Sequence, residues 1–145
     1  MTSTSAAQPR STGHPGYAQT QLRVPETAEA ARRLARTALA TWGLDDDADT
    51  AALTMSELVA NAVRHADGHS LRIIVDRPAD DRVYLAVIDR APHRLPQVRT
   101  QDPDGVSGRG LFLVEAIADR WGYDFMGPGS QPWGKRVWAE LKVTP

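Results

Sequence analysis

The chain has 145 residues, 41% hydrophobic and 24% charged, which is enough material for one globular domain with a real core. A net charge of −1 argues against wholesale nucleic-acid binding, and the absence of cysteine excludes disulfides, thiolate metal sites and cysteine nucleophiles. No apolar run is long enough to span a bilayer and the N-terminus lacks a charged-then-apolar leader pattern, so a cytoplasmic protein is expected.

Residues 1–20 are Ser, Thr, Ala, Gly and Pro with almost nothing to bury, and are predicted to be a mobile tail ahead of a single domain over 21–145. Gln21–Val24 is predicted as a short edge strand ended by Pro25. Thr27 then caps a helix to about Thr41 whose apolar stripe is Ala31, Leu34, Ala35, Ala38, Leu39 and Trp42. Gly43 stops that helix. The run Asp45, Asp46, Asp47 opens the next one, where negative charge suits the exposed amides and the positive end of the dipole.

The second half of this next helix, Ser56–Gly68, SELVANAVRHADG, carries an unusual polar pattern. At 100° per residue Met55, Leu58, Val59, Ala62, Val63 and Ala66 share a broad apolar arc, while Glu57, Asn61, Arg64 and His65 form a narrow stripe along its edge. Glu57 and Asn61 are four apart, so a carboxylate and an amide point the same way beside a face that packs. Taken alone, the stretch also fits an amphipathic helix whose Glu and Asn are merely solvated.

Leu71–Asp76, the turn Pro78–Asp81 and Arg82–Asp89 read as a hairpin. Val83, Leu85 and Val87 alternate onto one face, and continuing the alternation turns Asp89 inward at the strand's exit, where a carboxylate needs a partner. Arg90–Val106, with three prolines and little periodicity, is predicted as a long loop. Ser107–Arg120 is a glycine-rich turn entering a helix whose Leu111, Val114 and Ala118 share a face. Trp121–Met126 and Lys135–Val143 close the fold as strands, with Val137, Ala139 and Leu141 inward. The order β, α, α, β, β, α, β, β predicts a two-layer α+β sandwich.

Each polar group has a chemical use and a plainer alternative. Gly108, Arg109 and Gly110 ahead of a helix can hold a phosphate, or can simply turn the chain; they form neither a Rossmann nor a Walker A motif. Asp89 suits an exocyclic amine such as that of adenine, or is satisfied by loop amides. Asn61 can offer an amide oxygen to Mg2+, and Glu57 is placed one turn away to orient or deprotonate a nucleophile.

The order of these pieces carries a resemblance. E-x-x-x-N on a helix, Asp at a strand end in VIDRAPHRLP, and GRGLFLVEAIADRWG resemble the three nucleotide-binding boxes of the GHKL ATPases, the superfamily of gyrase, heat-shock chaperones and histidine kinases. Within it the compact chain resembles the bacterial anti-sigma factor serine kinases and their actinobacterial relatives, from about Gln21 to the end and including GKRVWAEL as the last strand. The resemblance implies the Bergerat ATP-binding fold, with a mixed, mostly antiparallel sheet, helices on one face and a lid over Leu95–Ser107. It implies ATP and Mg2+ as cofactors, Glu57 as general base and Asn61 as metal ligand. Arg64, His65 and Arg109 fall to the phosphates, Asp89 with Ala91 to adenine, and Gly108, Gly110 and Leu111 to the phosphate loop. It further implies phosphorylation of a serine on a STAS-type anti-anti-sigma partner, capture of a sigma factor, and dimerisation as common. Two departures stand out. Ala91 replaces the glycine of the usual Asp-x-Gly-x-Gly, and Arg136 stands where relatives often carry a threonine that supports the adenine contact.

Overall fold

A computed structural model of the chain describes residues 13–96 and 109–145, the side chains of 109 and 110 excepted. Five strands, β1 (Tyr17–Leu22), β2 (Ser70–Ala79), β3 (Arg82–Asp89), β4 (Arg120–Met126) and β5 (Gly134–Lys142), form one sheet in the order β1-β2-β3-β5-β4. Every pairing is antiparallel, so the sheet contains none of the parallel pairing that a mixed sheet would carry. Helices α1 (Thr27–Thr41), α2 (Ala48–His65) and α3 (Arg109–Ile117) cover one face, giving the predicted two layers of the α+β fold.

The core forms where the two periodicities meet. Ala31, Leu34, Ala35, Ala38 and Leu39 of α1 and Ala51, Met55, Leu58, Val59 and Ala62 of α2 close on Leu71, Ile73 and Val75 of β2, Val83, Leu85 and Val87 of β3, and Val137, Ala139 and Leu141 of β5. Met55 and Leu58 are essentially inaccessible, each contributing about 1.5–3 kcal/mol of apolar burial. The sheet's other face carries no helix. There Tyr84 stacks on Trp138 at 6.1 Å, above the buried Ile74 and Ala86.

Several boundaries differ from expectation for local reasons. β1 begins at Tyr17, inside the segment read as a tail, because the Tyr17 ring packs on Trp42 and the Trp42 indole donates to the Pro15 carbonyl. Thr27 does not cap α1; its hydroxyl donates to the Leu22 carbonyl and ties the helix start to β1. Asp45–Asp47 form a short 3-10 turn with no capping side-chain bond, and α2 starts at Ala48. β2 continues through Pro78 to a two-residue turn, Asp80–Asp81, the ladder shifting between Asp76 and Ala79 because proline has no N–H to give it.

Two contacts fix the end of α2 where the polar stripe lies. Arg23 donates through Nη1 to the Val63 carbonyl at 2.8 Å and through Nε to the Gly68 carbonyl at 2.7 Å, placing a cation at the helix C-terminus. Gly68, at φ +87°, turns the chain so closely over Arg90 that an added Cβ would lie 3.3 Å from Cδ of that side chain. None of the described helices is long and apolar enough to cross a membrane.

The tightest approach is between β5 and the exit of β3: a Cβ on Gly134 would lie 2.1 Å from the Asp89 carbonyl oxygen. Gly134→Ala should therefore force these strands apart and lower stability by about 1–3 kcal/mol in chemical denaturation. Gly129→Ala, with nothing within 4 Å of an added Cβ, should change stability by less than about 0.5 kcal/mol.

Candidate functional site

The polar stripe of α2 survives folding as an edge. Glu57 is half-buried, Asn61 is 6% exposed, Arg64 is exposed and His65 half-buried. Among the described residues, neither the Glu57 carboxylate nor the Asn61 amide has a hydrogen-bond or ion-pair partner. The Asn61 amide is not among the fully buried polar atoms left without a partner, so it stands at the margin of the core rather than sealed within it. Helix α3 packs against α2, and Arg109 and Gly110 form its first turn. Gly108 and all of the expected lid except Leu95 and Pro96 lie outside the described residues. Leu111 belongs to the core, 1% exposed.

The exit of β3 sits beside the C-terminal end of α2. Ala91 shares the core cluster with Ala62 and Ala66, and Arg94 lies 3.9 Å from Asp67 in an exposed pair. Asp89 points inward as the alternation predicts and is 1% exposed. Its partner, however, is a side chain that the sequence reading passed over. Lys135, also 1% exposed, donates to Asp89 Oδ1 at 2.9 Å, to Oδ2 at 3.0 Å and to the Ala91 carbonyl at 2.8 Å. Asp89 Oδ1 also accepts the Ala91 N–H at 2.8 Å. All three ammonium protons thus have acceptors, and the ion pair is sealed from solvent.

Register explains the miss. Asp89 stands opposite Lys135, and Ile88 opposite Arg136. Arg136 therefore projects from the face without helices, where its guanidinium lies over the Tyr84 ring and pairs with Asp124 at 3.2 Å. The expectation that Arg136 stands beside the candidate base site is corrected: Lys135 does. The signal was present, since 135 shares the parity of Val137, Ala139 and Leu141, but a lysine was not read as an inward residue. Of the 17 Lys and Arg residues only Lys135 and Lys142 are lysines. A compact ammonium with three donors matches three acceptors in a dry site, where a guanidinium would leave donors unpaired.

The two ends of this edge differ in what their polar groups leave open. Along α2 the Glu57 carboxylate and the Asn61 amide have no partner among the described residues, and Arg64 is exposed. At the end of β3 the Asp89 carboxylate is already engaged and buried, and does not suit an incoming base amine in this conformation. Among the described residues no cluster of three or more His, Asp or Glu could hold a metal, and a single Asn61 oxygen completed by phosphates is not such a cluster.

A family model for the histidine kinase-like ATPase domain matches residues 23–139. No curated protein matches the chain. Among solved structures, a mycobacterial sensor histidine kinase, MprB, superposes with a TM-score of 0.47 at 13% identity, covering 89% of this chain and 99% of that one; a likeness of that size carries no functional argument.

Because both charges of the pair are buried, removing one should be far worse than removing both. Lys135→Met is expected to cost about 3–5 kcal/mol in urea denaturation, and Asp89→Asn/Lys135→Met to recover most of that loss. Additive losses in the double variant would contradict the pairing.

Proposed function

The chain belongs to the histidine kinase-like ATPase domain family, and on that premise we propose that it is an ATP- and Mg2+-binding anti-sigma regulatory factor with protein-serine kinase activity. Its substrate is a serine of a STAS-type anti-anti-sigma protein, and its other partner is a sigma factor, both met in the cytoplasm and without contact to nucleic acid. The observation that carries the reading is the pair on the edge of α2 that has no partner among the described residues, Glu57 half-buried and Asn61 at 6% exposure. When bound, ATP supplies the transferable phosphoryl group. Asn61 would offer its amide oxygen to Mg2+, and Arg64, His65 and Arg109 would meet phosphate charge. Glu57 would take the proton of the partner's serine hydroxyl as the oxygen attacks. In this reading copies of the chain can pair, as relatives do.

A second reading has its own observation. With Asp89 occupied by Lys135, the domain would act as a partner-switching module that binds nucleotide weakly or not at all and transfers no phosphate.

Phosphotransfer separates the two. With γ-labelled ATP and the cognate STAS protein, the wild type should label the partner. Glu57→Ala should slow transfer by about 100-fold or more while nucleotide affinity stays within about threefold. Asn61→Ala should instead weaken Mg2+-nucleotide binding about tenfold or more. A partner that binds tightly but is never labelled decides for the second reading; equal loss of binding in both variants means the roles given to Glu57 and Asn61 are wrong.

A further inference from the structure

We propose that Lys135 is a built-in ligand of Asp89, so that the site, on the nucleotide reading above, accepts a nucleoside triphosphate through its phosphates without reading the amine of adenine. The inference rests on prior engagement and enclosure: Asp89 already accepts three hydrogen bonds, and both partners are buried. Oδ1 of Asp89 holds two donors, Lys135 Nζ and the Ala91 N–H, and Oδ2 holds Lys135 Nζ again. The third ammonium proton goes to the Ala91 carbonyl, which also accepts the Arg94 N–H at 3.2 Å. The side chains of Lys135 and Asp89 are 1% and 0% exposed, so no face of the pair is open to a ligand.

For a base N–H to reach Asp89 it would have to displace the ammonium, leaving a buried cation without its carboxylate. The surroundings oppose a retreat of Lys135. Gly134, immediately before it, is clamped against the Asp89 carbonyl, where a Cβ would lie 2.1 Å away. The strand register then holds the stem of the side chain opposite Asp89. Among the described residues Asp89 is the only carboxylate paired with Lys135. The specificity consequence is chemical: exocyclic amines at the purine 6-position gain nothing from Asp89, and discrimination is left to the phosphate end.

Calorimetry with Mg2+-ATP and with the Mg2+ complex of purine riboside triphosphate, which lacks the 6-amine, tests this on three proteins. Wild type and Asp89→Asn/Lys135→Met, which removes both buried charges and so keeps the fold, should each bind the two nucleotides within about threefold of one another. Lys135→Ala, which opens space beside a free carboxylate, should prefer ATP about tenfold or more. If Lys135→Ala does not fold, the first two proteins decide alone. A wild type that prefers ATP about tenfold, with the preference lost in the double variant, overturns the inference and leaves the nucleotide reading standing. No binding by wild type or double variant together with ATP binding by Lys135→Ala overturns the inference, because the phosphate end then does not hold a nucleotide by itself. No binding by any folded variant overturns the nucleotide reading itself and the inference with it.

Discussion

A carboxylate and an ammonium, both removed from water, hold three parts of this fold in one place. Asp89 ends β3, Lys135 is the second residue of β5 and Ala91 lies just beyond β3, and the three are joined by four hydrogen bonds. Such a pair does not need to add net stability to be decisive. Desolvating two charges is expensive, and their attraction roughly repays it only while both are present and every proton and lone pair is engaged. The pair therefore acts as a geometric constraint. Register slip between β3 and β5 would separate the charges, and Gly134 lets the backbones come close enough for the contact to form.

The polar edge of α2 depends on the same corner. Arg23 holds the Val63 carbonyl of the helix and the Gly68 carbonyl beyond it, Gly68 folds the following turn over Arg90, and Ala91 past the exit of β3 belongs to the same core cluster as Ala62 and Ala66. Glu57 and Asn61 are thereby presented from a rigid helix, with the apolar arc behind them fully used by the core. A site built this way has one hard, charged, internally satisfied end and one end with unmet hydrogen-bonding capacity. On the proposed reading, that asymmetry would separate phosphate binding from base recognition.

Much of this was legible in the residues. The 3.6-residue period of α1 and α2 and the period of two in β3 and β5 predicted the layers, the element order and the inward turn of Asp89, because burial of an apolar face dominates those segments. The same alternation, carried one step back from Val137, places Lys135 inward. The motif spacing of relatives drew attention to Arg136 instead, although its parity puts it on the opposite face. Composition also misled at Tyr17–Thr20, where one aromatic contact with Trp42 outweighs a polar neighbourhood. The three aspartates before α2 looked like caps, yet capping is settled by backbone geometry that composition does not encode. Gly108 and residues 97–107, where the phosphate turn and lid are expected, lie outside the described residues, so that part of the candidate site rests on the sequence.

The most direct measurement of the central claim is a nitrogen-edited NMR spectrum of the lysine ammonium groups, since Lys135 and Lys142 are the only lysines in the chain. The account predicts one rapidly exchanging ammonium from the exposed Lys142 and one protected from water exchange, with a detectable coupling across the hydrogen bond to the Asp89 carboxylate carbon, unchanged on adding Mg2+-ATP. Two ammonium signals that exchange alike, or a Lys135 signal that loses its protection and its coupling when Mg2+-ATP is added, would contradict it.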